Sequence, residues 1–162
     1  YKLIIQNKPD YYFAYTSLGI MQFMLSDWEG CKSSFEKAFK YEPEEYAYLA
    51  MAAVAVLKLE LPYNETKKYF SDTMNKIPTQ SIYYHIIRAF KESGYDAYAL
   101  RKIKELDDPN LEKRLLFYIA ELYQMNGMET SAYSYFTTVK DAKNLGYFES
   151  RMAEHELLNH YE

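Results

Sequence analysis

Residues 11–43 read YYFAYTSLGIMQFMLSDWEGCKSSFEKAFKYEP, and this stretch decides the fold. It contains a small residue, Cys31, and a large apolar residue, Phe35, four positions later. The same pair of residue types recurs every 33 to 35 positions along the chain. The large residues are Phe35, Phe70, Ile103 and Phe136, and the small ones are Cys31, Thr66, Ala99 and Ala132. Such a period is typical of stacked pairs of helices, so the sequence predicts an all-α repeat protein.

Prolines separate the predicted pairs of helices. Proline cannot continue a helix, and it biases the residue before it away from helical geometry. We therefore expect gaps between helical hairpins at Pro9, Pro43, Pro78 and Pro109. The hairpins then span about 12–41, 46–76, 80–106 and 112–142. A last helix near 147–161 lacks a partner helix.

The turns inside the hairpins carry residues that end and begin helices. Gly94 and Gly127 lie 33 positions apart, and a glycine with positive φ commonly ends a helix. Asp27 and Asn64 supply side-chain oxygens that we expect to cap the helices that follow them.

The layout of the hairpins resembles the tetratricopeptide repeat (TPR) family over nearly the whole chain, and the first and fourth hairpins match best. The matching residues in the first are Tyr15, Leu18, Gly19, Trp28, Cys31, Phe35, Ala38 and Pro43. In the fourth they are Leu116, Ile119, Ala120, Tyr123, Gly127, Ala132 and Phe136. The third hairpin departs from the pattern, because Ile87 fills a position that prefers Gly or Ala.

This resemblance implies one domain, 1–162, with a right-handed superhelix of about four hairpins plus a terminal helix. The repeats would span about 12–45, 46–79, 80–111 and 112–145, followed by a capping helix at 147–161. Residues 1–8 would be the end of a truncated preceding helix.

A second resemblance concerns the C-terminal third. The fourth hairpin followed by GYFESRMA at 146–153 is similar to the end of the bacterial envelope lipoprotein family NlpI. That family comprises TPR adaptors that scaffold other proteins and tend to dimerise. The resemblance implies a bacterial cell envelope location, and a cytoplasmic location stays open.

The composition of the chain argues against several classes of function. The formal net charge is −4, which argues against general binding of nucleic acid. The single cysteine, Cys31, excludes an intrachain disulfide. The three histidines, His85, His155 and His160, do not have the spacing of a zinc motif. No apolar run is long enough to span a membrane. We expect no enzyme activity, no cofactor and no metal.

A TPR-like stack would place its first helices along a concave groove. The residues carried over from the family pattern are Phe13, Thr16, Ile20, Phe23, Val54, Tyr84, Arg88, Lys91, Arg114, Phe117 and Glu121. A contiguous apolar lining is normally covered. The occupant would be a peptide or helix of a protein partner, or a missing segment of this protein. The identity of the partner stays open.

Two alternatives to this scaffold or adaptor function remain. One is a structural module that forms a homodimer through 147–161, whose apolar stripe would be Tyr147, Phe148, Met152, Leu157 and Leu158. The other is a regulatory TPR part of a larger enzyme or sensor.

Overall fold

The computed structural model describes residues 2–8 and 11–161, without the side chain of Lys143. These residues form α-helices and one 3₁₀ helix, Lys143–Leu145, and no strand occurs among them. The all-α expectation is therefore confirmed. The α-helices are α1 Lys2–Asn7, α2 Tyr12–Met24, α3 Trp28–Tyr41, α4 Ala47–Leu59, α5 Tyr63–Met74, α6 Ile82–Lys91, α7 Asp96–Glu105, α8 Pro109–Met125, α9 Glu129–Asp141 and α10 Phe148–His160.

The chain divides into two compact units at Pro78, a proline predicted to separate two hairpins. Unit 1 is Tyr1–Pro78, and unit 2 is Thr79–Glu162. In unit 1, helices that follow each other in the chain pack together, from α1 on α2 to α4 on α5. Unit 2 continues this pattern from α6 to α10, and α8 also contacts α6 and α10. None of the described helices is long and apolar enough to cross a membrane.

The helix boundaries test the expected caps and breaks. The Asp27 carboxylate accepts a hydrogen bond from the Gly30 amide at 2.9 Å and caps α3 as expected. Gly94 and Gly127 have φ of 83° and 74°, which confirms the expected positive φ. The capping role expected of Asn64 is wrong, because α5 already begins at Tyr63 and no side chain caps it.

The predicted gap near Pro109 is present at 106–108, between α7 and α8, but Pro109 itself does not lie in the gap and is the first residue of α8. A proline is tolerated there because the amides of the first turn have no partner within the helix. The Asp108 carboxylate caps α8 by accepting from the amides of Asn110 and Leu111, each at 3.1 Å. The predicted break at Pro9 lies outside the described residues.

The repeated large and small residues form the helix packing. All four large positions are buried, and so are Cys31, Ala99 and Ala132. Thr66 is the exception: it is only partly buried, and its hydroxyl donates to the Leu61 carbonyl at 3.3 Å. Truncating one of these buried phenylalanines to alanine removes about 3–5 kcal/mol of stability. The periodic residues are therefore structural.

Candidate protein-binding surface

Most groove candidates of unit 1 lie in its interior. Thr16, Ile20, Phe23 and Val54 are all buried, whereas Phe13 is 56% exposed. Thr16, Ile20 and Phe23 are buried because this face of α2 meets other helices of unit 1, and Val54 is buried within α4. Tyr48 of α4 forms a side-chain hydrogen bond with Thr16. The Phe23 ring packs edge-on against Trp28 of α3, with centroids 5.3 Å apart, and Lys58 of α4 lies over it. These four buried side chains are not accessible to a ligand.

The candidates on α8 are also used inside the protein. Phe117 and Glu121 are fully buried. Arg114 is only 15% exposed, and its Nε donates to the Glu149 carboxylate of α10 at 2.8 Å. Its guanidinium also lies 5.0 Å and 5.4 Å from the ring centroids of Tyr147 and Phe148. Arg114 therefore holds the start of α10 instead of facing a groove.

The Arg114–Glu149 pair belongs to a buried polar cluster. The Tyr118 hydroxyl donates to the same Glu149 oxygen at 2.6 Å. Burial raises the pKa of Glu149, and the neighbouring Arg114 and Tyr118 oppose that rise. Burial and the negative charge of Glu149 raise the pKa of Tyr118, so its hydroxyl keeps its proton. This cluster fixes α8 to α10 and offers no open site for chemistry.

The three candidates on α6 remain accessible. Tyr84, Arg88 and Lys91 are each partly exposed, and their spacing of four and three places them on one side of the helix. Arg88 lies over Tyr95, the residue that precedes α7, and Tyr84 contacts His85 of α6. We call the set the α6–α7 surface and define it by Tyr84, His85, Arg88, Lys91, Tyr95, Tyr98, Arg101 and Lys102.

Aromatic rings connect the two helices of this surface. The His85 and Tyr95 rings are stacked at 16°, and His85 Nδ1 and the Tyr95 hydroxyl are hydrogen-bonded at 2.9 Å. The Tyr98 ring lies next to the Tyr95 ring, and their centroids are 5.0 Å apart. Cations flank the rings: the Arg88 guanidinium lies 4.4 Å from the Tyr95 centroid, and that of Arg101 lies 4.8 Å from the Tyr98 centroid. Cations and aromatic rings thus alternate along the surface.

The charges of the surface are only partly compensated. Arg88 Nε pairs with Glu92 at 3.0 Å, and Lys102 Nζ pairs with Glu105 at 2.8 Å. Partial burial lowers the pKa of His85, and the positive charges of Lys102 and Arg88 lower it further. His85 is consequently neutral at pH 7 and acts here as a stacking and hydrogen-bonding group.

Reasoning from the family pattern missed Tyr95, Tyr98 and Arg101, because it considered only first helices of hairpins. A local signal was present. Tyr98 and Arg101 are three positions apart at the start of a second helix, which places both on one helix face. Nothing in the local sequence shows that this face adjoins His85 and Arg88.

Unit 1 presents a different kind of surface, which is apolar. The stretch Tyr11–Leu25 contains no charged residue. Large apolar side chains of α1, α2 and their flanks are well exposed, and they are Leu3, Ile4, Tyr11, Tyr12, Phe13, Met21 and Leu25. By contrast, the apolar stripe predicted at 147–161 is largely used inside unit 2. Met152 and Leu157 are buried there, and Leu158 remains 58% exposed.

The remaining histidines and the cysteine do not form a metal site. The described residues contain no group of three or more His, Cys, Asp or Glu side chains placed to hold a metal ion. Cys31 is buried at its packing position, and His160 Nε2 lies 3.1 Å from Glu156 on the same helix.

Comparisons with known proteins add no relative. No family model, no characterised protein and no solved structure matches the chain. The functional inference therefore rests on the surfaces described above.

Proposed function

We propose that the chain is a non-catalytic, TPR-like scaffold or adaptor module that binds a protein partner through the α6–α7 surface. The observation that supports it is the concentration of partly exposed tyrosine and arginine side chains on one hairpin. Tyrosine and arginine are enriched at protein interfaces and at their energetic hot spots. Tyrosine also offers a large contact area at a low cost in side-chain entropy.

Rigidity of the surface supports the same function. His85 is bound to Tyr95, Arg88 to Glu92, and Lys102 to Glu105. Side chains held in place before binding lose less entropy when a partner arrives. The same bonds occupy the titratable groups with one another, an arrangement that suits contact better than acid–base chemistry.

A capture experiment tests this function. The immobilised chain would be incubated with an extract of its source cells, and bound proteins would be identified by mass spectrometry. The double variant Tyr98→Ala/Arg101→Ala removes a tyrosine and the cation over it from the surface. The matched control, Tyr63→Ala/Lys67→Ala, removes the same kind of pair from α5, where Lys67 lies 5.6 Å from the Tyr63 centroid.

We expect the surface variant to lose specific partners that the wild type and the α5 control both retain. Circular dichroism and thermal unfolding would establish that all three chains are folded. If the surface variant recovers the same proteins as the wild type, the α6–α7 surface is not the binding site.

A second candidate function is self-association through the exposed apolar side chains of α1 and α2. Uncovered apolar patches commonly mark interaction sites. We expect the double variant Phe13→Glu/Met21→Glu to dissociate this dimer. A charge at each of these two exposed positions opposes burial of the apolar face of α2. Light scattering over a wide concentration range measures this, and a wild-type mass equal to that of one chain at every concentration would exclude it.

A further inference from the structure

The α6–α7 surface carries two cations that have no ion pair among the described residues. Lys91 and Arg101 form no ion pair with any residue that the structure describes, and each has an accessible side chain, although the charge of Arg101 helps to lower the pKa of Glu105. The two nearby acids, Glu92 and Glu105, are engaged with Arg88 and Lys102. These two cations without an ion pair therefore point the surface toward a negatively charged ligand, although the whole chain has a net charge of −4.

Aromatic rings hold Arg101, and also the Glu92-paired Arg88, in a form suited to carboxylates. Arg88 lies over Tyr95 and Arg101 lies over Tyr98. A guanidinium placed over a ring keeps the N–H donors at its edge, and those donors match the two oxygens of a carboxylate. The ring contact also restricts the side chain, which reduces the entropy lost on binding.

A small cleft lies at one end of the same surface. It has a volume of about 230 Å³ and is lined by Gln80, Ile82, His85, Lys102, Glu105 and Leu106. Pockets for whole ligands or cofactors usually measure about 300–1,000 Å³. This smaller cleft, with the apolar side chains Ile82 and Leu106 in its walls, fits one apolar side chain of a peptide.

We infer that the α6–α7 surface binds an acidic peptide segment of a protein partner, with carboxylates at Arg101 and Lys91 and one apolar side chain in the cleft that Ile82 and Leu106 help to line. This inference rests on the proposed function and adds the chemistry of the partner. Nucleic acid is the competing anion, and it needs a longer basic stripe than the few cations that remain available on this hairpin.

Fluorescence anisotropy with short labelled peptides tests the inference. The first probe is rich in Asp and Glu around a central Leu. The second replaces Asp and Glu with Asn and Gln, and the third replaces the Leu with Gly. A fourth probe is a thymidine oligonucleotide. The protein variants are Arg101→Glu on the surface and Lys67→Glu on α5, both of which reverse an exposed cation that lies over a tyrosine ring.

We expect the acidic peptide with Leu to bind best, and we expect Arg101→Glu to weaken it by at least about tenfold, while Lys67→Glu changes the affinity by less than about twofold. Raising the salt concentration from about 0.05 M to about 0.5 M should weaken binding markedly, because exposed charge pairs are screened. The Leu-to-Gly probe should bind more weakly than its parent, and Ile82→Ser should remove that difference.

Three outcomes would overturn the inference: equal binding of the neutral and acidic peptides, no effect of Arg101→Glu in a folded protein, or preferential binding of the oligonucleotide. The proposed function can survive each of them, because it depends only on whether Tyr98→Ala/Arg101→Ala loses the partners captured from the extract. If the acidic peptide binds as expected but capture does not depend on the surface, the proposed function fails instead.

Discussion

Gly19 of α2 faces the ring of Phe35 of α3 so closely that a Cβ atom on Gly19 would lie 2.8 Å from Phe35 Cδ2. The Phe35 side chain is fully buried and has little room to move. Gly19→Ala should therefore lower the free energy of unfolding by up to about 2 kcal/mol. Overpacking costs about 1–3 kcal/mol, which outweighs the gain of about 1 kcal/mol in helix propensity. Denaturant unfolding measures the difference.

A double variant shows whether the stability lost in Gly19→Ala comes from overlap with the Phe35 ring. The third hairpin has Ile87 and Ile103 at the positions that Gly19 and Phe35 occupy in the first, and both are buried. In the third hairpin, a residue larger than Gly19 is thus accommodated together with a residue smaller than Phe35. Gly19→Ala/Phe35→Leu should be more stable than the sum of the two single changes predicts. Strict additivity would mean that the two residues do not compete for the same space.

Asp107 and Asp108 are adjacent but should respond in opposite directions to substitution. Asp108 caps α8 through two amide hydrogen bonds, so Asp108→Ala should lower the free energy of unfolding by about 1 kcal/mol. Asp107 has a φ of 53°, in the left-handed region that favours glycine. Asp107→Gly should leave stability unchanged or raise it by up to about 1 kcal/mol. Thermal unfolding of both variants compares the two, and a larger loss for Asp107→Gly would contradict the assignment.

Arg114→Met should be strongly destabilising, because it leaves the carboxylate of Glu149 buried without its cation. Removing one partner of a buried ion pair typically costs about 3–5 kcal/mol. The pKa of Glu149 is already raised by burial, and loss of Arg114 raises it further. The folded variant then holds a proton that the unfolded chain releases, so its free energy of unfolding falls as the pH rises. Unfolding at about pH 5 and at about pH 8 measures this slope.

The matched control for this pair is Arg114→Met/Glu149→Leu, in which neither charge is buried. It should recover most of the lost stability and should not show the added pH dependence, since the titrating carboxyl is gone. If the single variant and the double variant are equally unstable, packing of the long Arg114 side chain is what matters.

The sequence was sufficient to predict the helices and the packing positions, because both follow from local periodicity. Phe35, Phe136 and Cys31 recur at the repeat spacing, and all three are buried. The predicted groove depended on which side of each first helix faces a neighbour, and that is a property of tertiary packing. Phe23 is an example of a predicted groove residue that is buried. Its position in the helical period is compatible both with lining a groove and with packing in the core.

The functional surface was only partly predictable for the same reason. Arg88 and Arg101 are both cations on amphipathic helices, and the sequence alone does not show that they lie over neighbouring rings. The role of Arg114 was equally hidden, because its partner Glu149 lies 35 positions away. Long-range polar pairs leave no periodic signal.

His85 should make the stability of the protein depend on pH below neutrality. Its pKa in the folded protein is lowered by burial and by the nearby cations Lys102 and Arg88, whereas an unfolded chain has a histidine pKa of about 6.5. As the pH falls below about 6.5 the unfolded state binds more protons than the folded state, so the free energy of unfolding decreases. His85→Gln removes this contribution and should flatten the decrease between about pH 7 and about pH 5.5. His155→Gln, a histidine of unit 2 outside the α6–α7 surface, controls for the loss of an imidazole. If His85→Gln follows the wild-type pH profile in thermal unfolding, then burial and the nearby cations Lys102 and Arg88 do not lower the pKa of His85.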